Sequence, residues 1–353
     1  MKEKRYFLTT IAVFAIMILA IFIRNYTYDP FGVYGYSDNQ EYLTLEYEQY
    51  YNYGYAKHLK YDTVLTGSCM SVDFYEKDFS TKDGIVKLSM VANPLDQVKM
   101  INLALESDNN VRRVIMSEDM WVLGTDGCAL EYPEYIYNGP GADDINYLLN
   151  KDTLTFDIVS ANLERSGIAD LMENKNWHRE CSEAIMLQTE DIQGMLDIYE
   201  ECLRTNDFPN DETYMDEINA STTRKVVGYV EEVVKANPDI RFDIFFPPYS
   251  IMALEWAKYS AGGLNYILDQ EKLWVDVLVD YPNVNIYEFQ TAEDIIYNLD
   301  NYCDKVHFSE NVYAWEAEQI NKGNYRLTRE NYIEEIDKIK QITDEFDLSP
   351  YVK

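Results

Sequence analysis

The sequence predicts an α/β protein with a mostly parallel, doubly wound sheet of about five strands, preceded by one apolar helix. From Tyr61 onward, short β-rich runs alternate with segments of helical periodicity, and strands separated by helices favour parallel pairing. Near the N-terminus, no charged side chain falls between Arg5 and Arg24. That gap of about 18 residues is roughly the helix length needed to cross a hydrocarbon core.

The predicted strands are short runs rich in β-branched and aromatic residues, each ending at a turn signal. The first ends at Gly67, and the fourth is broken by Pro247 and Pro248. Because parallel strands carry their loops at the carboxyl edge, we expect functional side chains there. The predicted strands are residues 62–66, 84–89, 111–116, 240–246 and 284–289.

The predicted helices show apolar residues at helical spacing and recognisable start and stop signals. Pro94 opens the first, with Asp96 in its first turn, and Asn237-Pro238 ends a later one. The predicted helices are a segment beginning at Pro94 and residues 190–204, 221–236, 263–280, 309–321 and 328–345.

The organisation predicted from these patterns has an anchored, exported domain. Lys2, Lys4 and Arg5 precede the apolar run, so the N-terminus is expected in the cytoplasm and the main domain outside it. The run ends in Ile-Phe-Ile-Arg rather than in a small-residue cleavage site, which favours an uncleaved single-pass anchor. The predicted parts are a cytoplasmic tip and anchor (1–25), a Tyr-rich juxtamembrane segment (26–60), an α/β domain (61–325) with an insertion at about 120–188, and a C-terminal helix (326–353).

Composition excludes several classes of function. The chain has 62 acidic and 30 basic side chains, a formal net charge of −32. Such a surface repels nucleic acid and disfavours direct adhesion to anionic lipid heads. The five cysteines are scattered and show no paired spacing, so neither a disulfide framework nor a structural zinc site is expected. We expect no metal and no other cofactor.

Two segments far apart in the chain carry candidate catalytic side chains. Ser68 and Cys69 follow Gly67 on the turn after the first strand, which presents a nucleophile at the carboxyl edge of the sheet. Asp304 stands three residues before His307, and this spacing lets the carboxylate fix the imidazole tautomer. A histidine held in this way can activate a hydroxyl or a thiol. We therefore predict an acyl-transfer site, with Ser68 and Cys69 both retained as candidate nucleophiles.

These motifs resemble the SGNH (GDSL-type) hydrolase superfamily, and above all its membrane-anchored bacterial branch. The resemblance rests on Asp29-Pro-Phe31, on the run from Tyr61 to Met70, and on the block from Asn298 to Phe308. It implies a flavodoxin-like sheet and esterase or O-acyltransferase chemistry on carboxyl esters of a cell-envelope glycan or glycolipid, with His307 as base and Asp304 orienting it. Better-known relatives are the D-alanine transfer protein of teichoic-acid modification and alginate O-acetylation proteins. Both act outside the membrane beside a membrane-bound O-acyltransferase, so such a partner is implied here.

The same resemblance indicates where an oxyanion hole would lie, and the sequence departs from the pattern there. The superfamily uses the N–H of its nucleophile, which corresponds in spacing to Cys69, a glycine after the second strand and an asparagine after the third. Here Ala92 and Asn93 occupy the second loop, and Asp119 follows the third strand. An ionised Asp119 would repel an oxyanion, whereas a protonated one could donate to it.

Two questions stay open from the sequence. The altered oxyanion positions leave a catalytically silent glycan-binding or scaffold protein, partnering a membrane O-acyltransferase, as the alternative to an enzyme. For an enzyme, hydrolysis and transfer share the acyl-enzyme and differ only in whether water or a sugar hydroxyl attacks it.

Overall fold

A computed structural model describes residues 2–35, 48–127, 134–141, 143–151, 153–154, 180–208, 214–259 and 263–352. Residues 155–179, within the predicted insertion, lie outside the described part. The chain divides into two compact units. The first combines Met1–Leu59 with Glu131–Lys175, and the second combines Lys60–Leu130 with Asn176–Lys353.

The described elements follow one another along the chain as helices, strands and short 3₁₀ turns. The helices are α1 (Lys2–Tyr28), α2 (Glu48–His58), α3 (Pro94–Leu105), α4 (Glu134–Tyr137), α5 (Ile145–Leu148), α6 (Glu183–Met186), α7 (Glu190–Thr205), α8 (Glu217–Ala236), α9 (Ile251–Tyr259), α10 (Leu264–Leu278), α11 (Glu293–Ile296), α12 (Glu310–Lys322) and α13 (Tyr332–Glu345). The strands are β1 (Thr63–Thr66), β2 (Ile85–Leu88), β3 (Arg113–Ser117), β4 (Arg241–Phe246), β5 (Val284–Glu288) and β6 (Arg326–Leu327).

In the first unit, α1 is by length and composition able to cross a membrane. Its most apolar window has a mean hydropathy of 2.6, and 0% of that window is buried. This agrees with the predicted single-pass anchor, because an apolar helix surface without protein cover favours lipid over water.

The end of α1 is tied into the rest of the first unit. Asp29 follows the helix with a left-handed backbone (φ 42°). Its carboxylate accepts the backbone N–H groups of Val33 and Tyr34, at 2.9 and 2.8 Å, and the Tyr147 hydroxyl at 2.8 Å. Further back, the Asn25 side chain donates to the Leu148 carbonyl at 2.8 Å. The Asp-Pro-Phe motif is therefore a buried connection between α1 and the α5 region.

The second unit is built on a mixed sheet of six strands in the order β2-β1-β3-β4-β5-β6. The first five pair in parallel, and β6 pairs with β5 in the antiparallel direction. The predicted α/β class is confirmed. The predicted mostly parallel sheet of about five strands corresponds to β1 to β5, and β6 makes it a mixed sheet of six. The sequence did not indicate β6, because a two-residue edge strand carries no alternation that a sequence can show.

The central strands of the second unit lie in its core. Every residue of β1 and β3 is buried, which is typical of parallel strands covered on both faces. Around the sheet, α3 packs against α8, and α10 packs against α8 and α13. Since β1, β3 and β4 are parallel neighbours, the loops that follow them meet at one edge of the sheet, where the predicted catalytic side chains stand.

Candidate active site

The turn after β1 depends on a glycine at its first position. A Cβ atom on Gly67 would lie 2.7 Å from the Ser117 Cβ at the end of β3 and 3.0 Å from the Ser71 Cβ. Real Cβ atoms do not approach other atoms this closely, so only glycine fits without movement of the backbone. The chain then enters a 3₁₀ turn over Cys69–Ser71, and the Ser68 hydroxyl caps it by accepting the Met70 N–H at 3.1 Å.

Three of the predicted site residues meet in one chain of contacts. The Cys69 Sγ lies 3.0 Å from the His307 Nε2. On the other side of the ring, the His307 Nδ1 lies 2.7 Å from the Asp304 Oδ2. The second oxygen of Asp304 accepts the backbone N–H groups of Val306 and His307, at 2.9 and 2.7 Å. Backbone N–H groups of its own loop therefore hold the Asp304 carboxylate in place. The carboxylate in its position holds the His307 ring in one orientation.

The loop that carries His307 is held at both ends. Tyr302 and Phe308 form an antiparallel bridge, and the Cys303 N–H donates to the His307 carbonyl at 3.0 Å. The Tyr302 hydroxyl donates to the Pro248 carbonyl, after β4, at 2.6 Å. This loop is thus attached to the carboxyl edge of the sheet, which brings a residue late in the chain to the turn after β1.

Burial and hydrogen bonding act in opposite directions on the imidazole and its carboxylate. Burial lowers the pKa of His307, but hydrogen bonds with Asp304 and Cys69 outweigh it and raise that pKa from 6.5 to about 9. Burial raises the pKa of Asp304, but the hydrogen bond and charge of His307 outweigh it and lower that pKa to about 2. Near neutral pH, both groups are charged.

These pKa shifts predict a pH-dependent contribution to stability. The His307 contribution is fully present below pH 6.5 and is lost as the pH rises through about 9, since the folded state holds the proton longer. At about 1.4 kcal/mol per pKa unit, it is on the order of 3 kcal/mol. Urea unfolding of the wild type and of His307→Gln should show a difference in free energy that shrinks across this window. A difference that stays constant with pH would contradict the charged pair.

Ser68 is engaged elsewhere. Its side chain is buried (5% exposed) and, besides Met70, is hydrogen-bonded to Asp119. No hydrogen bond joins it to His307 within the described chain. Asp119 also accepts the Tyr249 hydroxyl at 2.7 Å. Burial raises the pKa of Asp119, against the hydrogen bonds from Ser68 and Tyr249 and the charge of His307. The Ser68 hydroxyl therefore stabilises the turn after β1 and connects it to Asp119, which follows β3.

The predicted oxyanion residues of the second loop are only partly available. The Asn93 side-chain nitrogen donates to the Gly127 carbonyl at 2.8 Å. The Ala92 carbonyl accepts the Gln97 amide at 3.4 Å, a bond that does not occupy the Ala92 N–H. The neighbouring Val91 N–H donates to the Gly67 carbonyl at 2.9 Å. By contrast, no hydrogen bond engages the Cys69 N–H in the part of the chain that the structure describes. The Cys69 N–H therefore has no hydrogen-bond partner among the described residues that would keep it from an oxyanion at Cys69.

Sequence reasoning missed the aromatic residues around this site. Tyr249, after β4, is hydrogen-bonded to Asp119, a contact that no local sequence pattern indicates. Trp121 lies 5.8 Å from the Tyr249 ring and 5.4 Å from the Trp256 ring, centroid to centroid. The Lys305 ammonium lies 3.7 Å above the Trp256 ring. The signal available in the sequence was an aromatic residue shortly after the end of each of two neighbouring strands.

Comparison of the chain with protein-family models, curated proteins and solved structures gives no match in any of the three. The resemblance to the SGNH superfamily therefore rests on the motifs alone. Among the residues with described positions, no group of three or more His, Cys, Asp or Glu side chains is arranged to hold a metal ion.

Proposed function

We propose that this protein is a membrane-anchored extracytoplasmic esterase or O-acyltransferase that uses Cys69 as its nucleophile. The observation that carries the proposal is the 3.0 Å contact between the Cys69 Sγ and the His307 Nε2, with Asp304 on the other ring nitrogen. A nucleophile, a base and an orienting carboxylate in series are the arrangement that acyl transfer requires. The alternative nucleophile, Ser68, is buried and bonded to Asp119.

The chemistry follows from the charges of the three groups. A protonated His307 stabilises the Cys69 thiolate, which is the reactive form of a cysteine. The thiolate attacks the ester carbonyl, and a carbon–sulfur bond forms while the carbonyl becomes an oxyanion. When this intermediate collapses, the carbon–oxygen bond breaks, and the departing alcohol takes the proton from His307. Neutral His307 then accepts a proton from water or from a sugar hydroxyl, which attacks the thioester and regenerates the thiolate.

Charge on the oxyanion must be balanced by nearby donors, each of which can contribute a hundredfold or more in rate. The Cys69 N–H is one. Asp119 is the second in this proposal, acting in its protonated form, and the burial that raises its pKa favours that form. Tyr249, bonded to Asp119, keeps this carboxyl oriented.

The proposed substrate and setting follow the resemblance. The strand order β2-β1-β3-β4-β5 is that of a flavodoxin-like sheet, which supports an SGNH-type fold. The substrate class is a carboxyl ester of a cell-envelope glycan or glycolipid, and the partner is a membrane-bound O-acyltransferase. Lys2, Lys4 and Arg5 orient the N-terminus towards the cytoplasm.

A catalytically silent glycan-binding or scaffold protein is the second candidate. It is favoured by one observation: the Asn93 amide nitrogen, a candidate oxyanion donor, is engaged by the Gly127 carbonyl. Such a protein would keep the fold and bind glycan without forming an acyl-enzyme.

The experiment that tests the enzyme is capture of the covalent intermediate. Full-length protein in detergent is mixed with p-nitrophenyl acetate, quenched in acid and digested, and the peptides are analysed by mass spectrometry. We expect one acetyl group on the peptide that contains Cys69, removable by hydroxylamine. Acetylation at Ser68 instead, or none at either residue under conditions where the folded protein is intact, would refute Cys69 as the nucleophile.

A further inference from the structure

Ser250, the residue that directly precedes α9, is buried beside the loop that carries His307. Its exposed fraction is 0%. The hydroxyl donates to the Lys305 carbonyl at 2.6 Å and accepts the Ala253 N–H at 3.2 Å, so it is engaged both as a donor and as an acceptor. The second bond lies within the first turn of α9. The first joins residues 55 positions apart and connects α9 to the His307 loop.

The Lys305 carbonyl belongs to the same peptide group as the Val306 N–H. That N–H donates to the Asp304 carboxylate at 2.9 Å. Because a peptide group is planar, a hydroxyl that fixes its carbonyl also fixes the direction of its N–H. Hydrogen bonds in series polarise one another, so a carbonyl that accepts a bond makes the N–H of its own peptide group a stronger donor. The bond from Ser250 is therefore transmitted to Asp304 through a single peptide group.

The side chain of Lys305 is held as well, partly by α9. Its ammonium lies 3.7 Å from the centroid of the Trp256 ring and pairs with the Asp191 carboxylate at 2.5 Å. Within the described chain, the Ser250 hydroxyl is the only hydrogen-bond donor to the Lys305 carbonyl. Without that hydroxyl the carbonyl would lose its partner, and only the side-chain contacts would hold this peptide group on the side of α9.

We propose that Ser250 is a positioning residue, which holds the Asp304 carboxylate in place through the Lys305–Val306 peptide group. The carboxylate holds the His307 ring in the orientation in which it contacts Cys69. Among the described contacts, Ser250 has no hydrogen bond to His307 or Cys69, so it acts through other residues. Its consequence for catalysis rests on the acyl-transfer function proposed above, whereas the contacts themselves do not depend on that function.

The pKa of His307 reports how firmly Asp304 is held. The titratable groups that act on the ring are Asp304 on its own loop, Cys69 on the turn after β1 and Asp119 after β3. Of these three, only Asp304 is connected to Ser250 through the peptide group described above. A carboxylate that is no longer fixed stabilises the imidazolium less, so removal of the Ser250 hydroxyl should lower the pKa of His307.

The test is a titration of the His307 ring by NMR, on full-length protein in detergent with isotope-labelled histidine. The chain has three histidines, and the signal missing from His307→Gln identifies that of His307. In the wild type the pKa should be about 9. In Ser250→Ala it should fall by about half a unit to one unit, the size expected when one buried hydrogen bond is lost.

Two further variants separate positioning from a general loss of stability. Before β3, the Ser107 hydroxyl makes the same two kinds of bond: it donates to the Ala104 carbonyl at 2.7 Å and accepts the Asn109 N–H at 3.2 Å. Ser107→Ala should leave the pKa of His307 at the wild-type value. If Ser250→Ala does not fold, Ser250→Gly takes its place, because glycine begins a helix nearly as well as serine but has no hydroxyl. It should show the same lowered pKa.

Three results would overturn the proposal. One is an unchanged pKa of His307 in a folded Ser250→Ala or Ser250→Gly variant. Another is an equal fall in Ser107→Ala, because the pKa would then follow stability alone. The third is a wild-type pKa at the ordinary value of 6.5, which would show that no fixed carboxylate supports the ring.

The rate of Cys69 acetylation by p-nitrophenyl acetate gives a second readout. We expect Ser250→Ala to lower it by about tenfold, since a displaced base costs rate even when it is still present. Acetylation of the wild type combined with an unchanged pKa of His307 in Ser250→Ala would leave the enzyme and remove the positioning role. A lowered pKa in Ser250→Ala, with no acetylation of the wild type, would support the positioning role and refute the acyl transfer.

Discussion

Cys69→Ala is expected to abolish the acyl-enzyme and to lower kcat/KM for an acetyl ester by on the order of 10³-fold or more. The reason is that the Cys69 Sγ is the atom in contact with the His307 ring, and alanine has no nucleophilic atom to take its place. Initial rates with p-nitrophenyl acetate and with an O-acetylated oligosaccharide would measure the loss. Circular dichroism and unfolding in urea would establish that the variant is folded.

Two matched variants make this result specific. Cys181→Ala removes another partly exposed thiol, and we expect its activity to equal that of the wild type. Ser68→Ala removes the cap of the turn and the bond to Asp119, so it should lower stability by about 1 kcal/mol and still form the thioester. If Ser68→Ala were inactive and Cys69→Ala active, the nucleophile would be the serine.

His307→Ala should have the second largest effect, through the reactivity of the Cys69 thiol. Without the imidazole, Cys69 loses the ring nitrogen that lies 3.0 Å from its Sγ and can take its proton. We expect the rate of Cys69 alkylation by iodoacetamide to fall by on the order of tenfold or more and ester turnover to fall further, because the general acid is lost as well. Peptide mapping after timed quenching separates Cys69 from the other cysteines.

Asp304→Asn gives a graded control for that result. The amide keeps the shape of the side chain but cannot hold the imidazolium by charge, so turnover should fall less than in His307→Ala. Because the pKa of Asp304 is lowered to about 2, the wild-type carboxylate keeps its negative charge beside the imidazolium down to strongly acidic pH. Alkylation of Cys69 at the wild-type rate in His307→Ala would contradict a functional contact between the two residues.

The sequence located the main strands because their signal is local. The predictions for β1, β4 and β5 begin or end within one residue of the observed bounds, since a buried run is limited by a turn residue at each end. The helix α9 was not predicted from the sequence. Its apolar residues are buried almost throughout, so it shows little of the amphipathic contrast by which a helix is recognised.

In the candidate site, contacts between residues close in sequence could also be predicted, whereas contacts between distant residues could not. Asp304 and His307 are three residues apart, so their contact could be predicted from spacing alone. The spacing could not show whether Ser68 or Cys69 contacts His307. That depends on which of the two adjacent side chains the 3₁₀ turn directs towards the His307 loop, which comes from the far end of the chain. The same holds for Asp119, whose partner Tyr249 is 130 positions away.

The connection at the end of α1 has a mechanical consequence for the first unit. Asp29 and Asn25 hydrogen-bond directly to the α5 region, so α1 is connected to the rest of the first unit by fixed contacts and not by a flexible linker. With α1 embedded in lipid, the unit would stand at a set height above the bilayer and would turn whenever the helix turns. A shift or rotation of α1 within the membrane would therefore be transmitted directly to the residues of the first unit that Asn25 and Asp29 contact.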